Sequence, residues 1–336
     1  MQRTRSDILT NRRAPYFPYA CVLTALGANT ILGGMVSVEI FSTPPRASSQ
    51  VRLPAADGLH LALEYFGDPS APTVVFAHGF GQTRQAWRNT AMQLAEQGWC
   101  CISADGRGHG DSAWLPGGDY SMQQFTSDLI QIARGCAAPP VLVGASMGGL
   151  LALAAEAEAG PGLFRALVLV DITPRWETAG VERILKFMRA FPDGFADLDE
   201  AAAAIKEYLP QRRESTPSER LRKYLVPRDD GRLRWHWDPR LLDIVAGDST
   251  QQQADLAIAA KAIRIPTLLI SGSESDIVSS ATIDEFLALV PHAKHVAVPR
   301  ATHMLVGDRN DVFTDAVLEF IQPLRETAAD FTGVRP

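Results

Sequence analysis

Gly144-Ala145-Ser146-Met147-Gly148-Gly149 follows a short apolar run, Val141-Leu142-Val143, and opens an Ala/Leu-rich run over residues 150–159. The first run has the length and composition of a buried strand; the second has those of a helix. A strand that turns directly into a helix through G-x-S-x-G is a nucleophile elbow. It holds the serine hydroxyl out above the end of a sheet, with the helix N-terminus behind it. Small residues are needed at 144 and 148 because the tight turn brings neighbouring backbone close. Ser146 is therefore the first candidate catalytic residue. A Gly-rich turn without chemistry has the same local pattern, so the remainder of the chain decides between the two.

Upstream, residues 51–54 and 60–66 alternate around Asp57-Gly58, a hairpin signal. Residues 73–77 form a short apolar strand ending at His78-Gly79-Phe80-Gly81. Residues 84–97 have helical periodicity and stop at Gly98. Residues 100–104 make the next strand and run into Asp105-Gly106-Arg107-Gly108-His109-Gly110. Residues 121–134 predict a helix with Ser121 at its N-cap. Downstream of the elbow, residues 165–170 make a strand that ends at Asp171. From residue 172 to about 263 the rhythm breaks into a mostly helical stretch without a convincing buried strand. It contains Trp176, Trp235 and Trp237. Strands resume at 267–270 and 294–298, with helices at 282–290 and 312–321.

This order predicts an α/β fold, with a mostly parallel central sheet covered by helices on both faces and a helical lid inserted after the sixth strand. The core comprises residues 51–171 and 264–325, and the cap or lid residues 172–263. Residues 1–50 are an extension: disordered, signal-like over residues 1–27, or preceding a true start at Met35. A cytoplasmic location is expected, with export the alternative if residues 1–27 act as a signal peptide. No stretch is long and apolar enough for a stable membrane span.

Ligands of such sheets bind at the carboxyl ends of the strands. A serine there needs a histidine base, and the base needs a carboxylate. The expected chain order is Ser, acid, His, with the acid past a late strand and the histidine past the last one. Asp276 and His303 fill those slots. Glu274 and Asp171 are the competing acids, Asp171 with an N-cap or turn role as its alternative. Among the seven histidines, His292 and His295 precede the end of the last strand and His60 lies in the opening hairpin. His109 suits structural hydrogen bonding in its Gly-rich loop, and His236 lies in the lid. Acyl transfer also needs donors to the developing oxyanion. The backbone N–H groups of Met147 and Phe80 are the candidates. Trp176, Trp235, Trp237 and Met304 are candidate substrate contacts, with packing inside the lid as the competing role for each tryptophan. Arg175, a candidate for binding a carboxylate, is more simply a solvated side chain.

The chain has 336 residues, 46% hydrophobic and 21% charged, which fits a globular protein of one large α/β domain or two modest ones. A formal net charge of −6 argues against nucleic acid as a partner. Cys21, Cys100, Cys101 and Cys136 have neither zinc-site nor disulfide spacing.

His78-Gly79-Phe80, Trp87, Asp105 to Ser112, the Ser146 elbow, residues 272–278 and His303 together resemble the α/β-hydrolase fold superfamily. Within it, the chain resembles the esterase, lactonase, C–C hydrolase and cofactor-free haloperoxidase (perhydrolase) group. It departs from many relatives at Thr302, where they carry Gly, and at Gly106, where they carry Leu. The resemblance implies an α/β hydrolase without metal or organic cofactor, cleaving a small, largely apolar ester or lactone through an acyl-enzyme. C–C bond hydrolysis and perhydrolysis by the same triad are the alternatives, and a non-catalytic small-ligand receptor is a remoter one. A homodimer is an open expectation.

Overall fold

The computed structural model describes residues 48–208, 218–245, 249–303 and 311–326. Expectations for residues 1–47, and for Met304, lie outside the described residues.

Strands β1 (Ser49–Pro54) and β2 (His60–Phe66) form the predicted hairpin, pairing Pro54 with His60 across Asp57-Gly58. β3 (Thr73–Ala77) leads through a 3₁₀ turn at Arg84–Trp87 into α1 (Arg88–Glu96). β4 (Cys100–Ala104) and α2 (Met122–Arg134) follow, then β5 (Val141–Ala145), α3 (Met147–Ala159) and β6 (Ala166–Val170). Ser121 caps α2 in a reciprocal capping box with Gln124.

The segment after β6 holds α4 (Thr178–Arg189), α5 (Leu198–Tyr208), β7 (Leu225–Pro227), β8 (Leu233–Trp235), α6 (Leu242–Val245) and α7 (Ser249–Ala262). Its helices were expected; the antiparallel β7–β8 pair was not. Three-residue strands are too short to show an alternating pattern. The chain then returns to the main sheet with β9 (Thr267–Gly272), α8 (Ser280–Leu289), β10 (Lys294–Val298) and α9 (Asp311–Glu326).

The eight-stranded sheet runs β1-β2-β4-β3-β5-β6-β9-β10. β1–β2 and β2–β4 are antiparallel; the remaining pairs are parallel. Every residue of β5, β6 and β9 is buried. This explains their unbroken apolar runs, because both faces of a central parallel strand are covered. Alternation still sorts the side chains. Val74, Phe76, Val141 and Val143 pack on the face with Trp87 and α9, whereas Val75 and Leu142 pack on the face with α2 and α3.

Candidate active site

β5 ends at Ala145, and the next residue, Ser146, takes φ 47° and ψ −118°. A non-glycine residue held there costs on the order of 1–3 kcal/mol, so its surroundings must enforce it. They do so by close backbone approach. A Cβ on Gly148 would stand 2.3 Å from the Ala77 carbonyl oxygen, and one on Gly144 would stand 2.5 Å from that of Gly148. Ser146 N–H also donates to the Val170 carbonyl at 3.0 Å. The sharp turn leaves the serine half-buried at the N-terminus of α3.

His303 lies beyond β10 and reaches back to the serine. Its Nε2 is 3.2 Å from Ser146 Oγ, and its Nδ1 is 2.8 Å from Asp171 Oδ2. With the Nδ1 proton directed at the carboxylate, Nε2 is free to accept the serine proton. Asp171 is buried and immediately follows β6, at φ 48°. Its Oδ1 accepts the Gly272 N–H at 2.7 Å, and its Oδ2 also accepts the Ser275 hydroxyl at 2.6 Å. Three donors thus converge on a buried carboxylate, an arrangement that stabilises its charge.

The carboxylate that meets His303 is that of Asp171 and not that of Asp276, the acid expected from the sequence. Asp276 is engaged by Arg183 of α4, and its backbone carbonyl lies against α4 where a Cβ on Gly180 would stand 2.2 Å from it. Among the described contacts its carboxylate makes none with His303. The physical difference is position. Ser146 and Asp171 each stand one residue past neighbouring strands, β5 and β6, whereas Asp276 stands four residues past the end of β9. Ser275, which sequence reasoning passed over, donates its hydroxyl to the Asp171 carboxylate.

The loop after β3 sits against the elbow: a Cβ on Gly79 would stand 3.2 Å from that of Ser146. Among the described residues, the N–H groups of Phe80 and Met147 have no hydrogen-bond acceptor. Neighbouring donors do: Gly79 N–H donates to Gln82 Oε1 at 3.0 Å, and Gly81 N–H to His109 Nε2 at 3.2 Å. Buried histidines hold this loop in place. His78 bonds through Nδ1 to the Gly79 carbonyl and accepts the Gly106 N–H on Nε2, both at 2.8 Å. His109 Nδ1 meets the Arg107 carbonyl at 3.1 Å. His236, from the segment after β6, accepts the Gly110 N–H on Nδ1 at 3.2 Å. Burial pushes all three imidazoles below their ordinary pKa, His236 to about 4.

The candidate substrate tryptophans divide. Trp237 is buried with its ring 5.4 Å from that of Phe80, which places it beside the loop after β3. Trp235 packs between Phe187 and Phe195, inside the aromatic cluster of the inserted segment. Trp176 is buried in the apolar layer shared with α3. Arg175 is exposed and pairs with Glu285 of α8.

The α/β hydrolase family model matches residues 74–316. The chain belongs to the α/β hydrolase family. This α/β hydrolase is 31% identical over 264 residues to a 3-hydroxybutyrate-oligomer hydrolase of Cupriavidus necator, covering 73% of this chain and 88% of that one. It is 29% identical over 272 residues to esterase Rv0045c of Mycobacterium tuberculosis, covering 77% and 84%. The crystal structure of E-2-(acetamidomethylene)succinate hydrolase superposes with a TM-score of 0.69 at 25% identity, over 82% of this α/β hydrolase and 100% of that chain. The mostly parallel sheet read from the sequence is that of the family, and the chain is an enzyme of the α/β hydrolase class. Among the described residues, no helix is long and apolar enough to cross a membrane.

Proposed function

We propose that this α/β hydrolase is a serine ester hydrolase acting on a small, largely apolar carboxylic ester or lactone. The hydrogen-bonded line from Ser146 through His303 to Asp171 carries this reading. Ser146 Oγ attacks the carbonyl carbon while His303 Nε2 takes the hydroxyl proton. Asp171 holds the imidazole in the required tautomer and stabilises its transient positive charge. The Phe80 and Met147 N–H groups donate to the oxyanion, Met147 with the added field of the α3 N-terminus. His303 then protonates the leaving alcohol, and the same base activates water to release the acid. Residues 172–263 act as the cap, placing Trp237 over Phe80 at one wall of the substrate space.

Purified wild type and Ser146→Ala, assayed on short- and medium-chain p-nitrophenyl esters, test the reading. Turnover in the wild type and its loss in the variant are expected. Equal rates in both would remove Ser146 as the ester nucleophile.

A further inference from the structure

Consecutive backbone N–H groups of Gly79, Phe80 and Gly81 lie in the loop after β3. Gln82 N–H donates to the Gly79 carbonyl at 3.1 Å and closes a turn, with Gly81 at φ 73°, where glycine is favoured. The outer two N–H groups each have an acceptor. Gln82 Oε1 takes that of Gly79 at 3.0 Å, and His109 Nε2 takes that of Gly81 at 3.2 Å. Phe80 N–H, between them, has none among the described residues. The two acceptors therefore decide which donor of the loop is left for a bound molecule.

Gln82 holds Gly79 at both of its backbone groups, the N–H through its side chain and the carbonyl through its main chain. His78 Nδ1 also donates to that carbonyl, at 2.8 Å. A trans peptide is planar, and its C=O and N–H point in opposite directions. With the Gly79 carbonyl turned to His78 and Gln82, the Phe80 N–H on the same peptide is turned the other way. The elbow lies close to this arrangement: a Cβ on Gly79 would stand 3.2 Å from Gln82 Oε1 and 3.2 Å from Ser146 Cβ. The half-buried Gln82 carboxamide is thus a near neighbour of the nucleophile, with no side chain at residue 79 to part them. Gly81 is fixed separately. His109 is buried with its ring against those of His78 and Phe80, and a Cβ on Gly81 would collide with Met188 Cε of α4. The Gly79 N–H relies on the Gln82 side chain.

We infer that Gln82 is a positioning residue for the oxyanion step. By accepting the Gly79 N–H, its carboxamide sets the Gly79–Phe80 peptide so that Phe80 N–H meets the carbonyl oxygen as Ser146 attacks. This rests on the serine-hydrolase reading above. A neutral acceptor suits the place, because a carboxylate there would oppose the negative charge forming on the substrate oxygen.

Gln82→Met keeps the length of the side chain and removes the acceptor. It is compared with wild type, Ser146→Ala and Gln82→Ala, with thermal denaturation confirming that each is folded. Kinetics on the p-nitrophenyl ester that the wild type cleaves fastest separate kcat from KM. Acylation and deacylation both pass through an oxyanion, so kcat carries the loss whichever step is slower. Losing an oxyanion donor outright costs about 10²–10³ in kcat; the Gly79 carbonyl keeps its own bonds in Gln82→Met, so kcat should fall roughly ten- to thirtyfold with KM little changed. Butyl trifluoromethyl ketone gives a second readout. Ser146 Oγ adds to its carbonyl carbon, the hydroxyl proton passes to His303, and the carbonyl oxygen becomes an oxyanion. Its inhibition constant should rise by the same factor in Gln82→Met, whereas the matching secondary alcohol, which forms no oxyanion, should bind as it does to the wild type. If Gln82→Met fails to fold, Gln82→Ala decides alone. An unchanged kcat in the folded variant, a rise in KM alone, or an equal weakening of ketone and alcohol overturns the role of Gln82 and leaves the serine reading intact. No turnover by the wild type, or turnover and ketone binding that Ser146→Ala does not weaken, overturns the serine reading and the role of Gln82 with it.

Discussion

Replacing Asp171 by Asn tests which carboxylate serves His303. Asp171 accepts three hydrogen bonds: Gly272 N–H on Oδ1, and the Ser275 hydroxyl and His303 Nδ1–H on Oδ2. An asparagine amide accepts on one side only. With its oxygen at the Oδ2 position, its NH₂ faces the Gly272 N–H, donor against donor. In the flipped orientation the NH₂ faces His303, whose ring must then place its proton on Nε2, where it cannot accept the serine proton. The site is buried, so water does not relieve either conflict. The same substitution in a serine protease triad lowers kcat by about 10⁴, which is about 5.5 kcal/mol of transition-state stabilisation. A fall in kcat/KM of about 10³–10⁴ is expected here. Asp276→Asn removes an ion pair whose arginine is 57% exposed. Such a pair contributes about 0–1 kcal/mol, so activity should change by less than about fivefold. Both variants are assayed on the p-nitrophenyl ester the wild type cleaves fastest, with Ser146→Ala as the baseline. A large loss in Asp276→Asn together with near-normal Asp171→Asn would refute the assignment.

Two further outcomes follow from the hydrogen-bond network. Ser275→Ala removes the 2.6 Å donor to Asp171; kcat should fall by roughly tenfold with KM little changed, Ser275→Thr should restore part of it, and a pure KM effect would contradict a positioning role. His236 has its pKa lowered to about 4 by burial, against an ordinary value of 6.5. Between those values the unfolded chain binds the proton and the folded chain does not, so stability is lost as pH falls from 6.5 towards 4. This one group contributes a loss of about 3 kcal/mol across that window. Urea denaturation at pH 7 and pH 4.5 should show a smaller acid loss in His236→Gln than in the wild type, and equal losses would show that His236 is not the group responsible.

The pairing of Ser146 with His303 was legible in the sequence because both positions follow from strand ends. Ser146 stands in G-x-S-x-G just after the apolar run 141–143, where a tight elbow fits, and His303 lies in the loop past the last strand. Asp171 was weighed, with Glu274, as a competitor to Asp276, which was preferred because the acid was expected past a late strand. What separates them is tertiary. Arg183 arrives from α4, more than ninety residues earlier in the chain, and occupies Asp276. Ser275 and Gly272 instead turn their donors onto Asp171. The structure adds a regularity that the sequence strand bounds did not show: Ser146 and Asp171 are each the first residue past their strands, with φ 47° and 48°. That regularity has a mechanical basis. A side chain one residue past a buried strand is held by the sheet itself, whereas one four residues past depends on how its loop is packed. Catalysis requires groups fixed to within about half an ångström. The proposed triad, with Ser146 and Asp171 on adjacent strands β5 and β6, meets that demand through the sheet, while Asp276 in the loop after β9 pairs with Arg183 of α4. Trp235 and Trp237 make the complementary point. They are two residues apart in sequence, yet one packs inside the cap and the other against Phe80. Nothing in their local sequence separates those fates, because the choice is made by the partner surfaces.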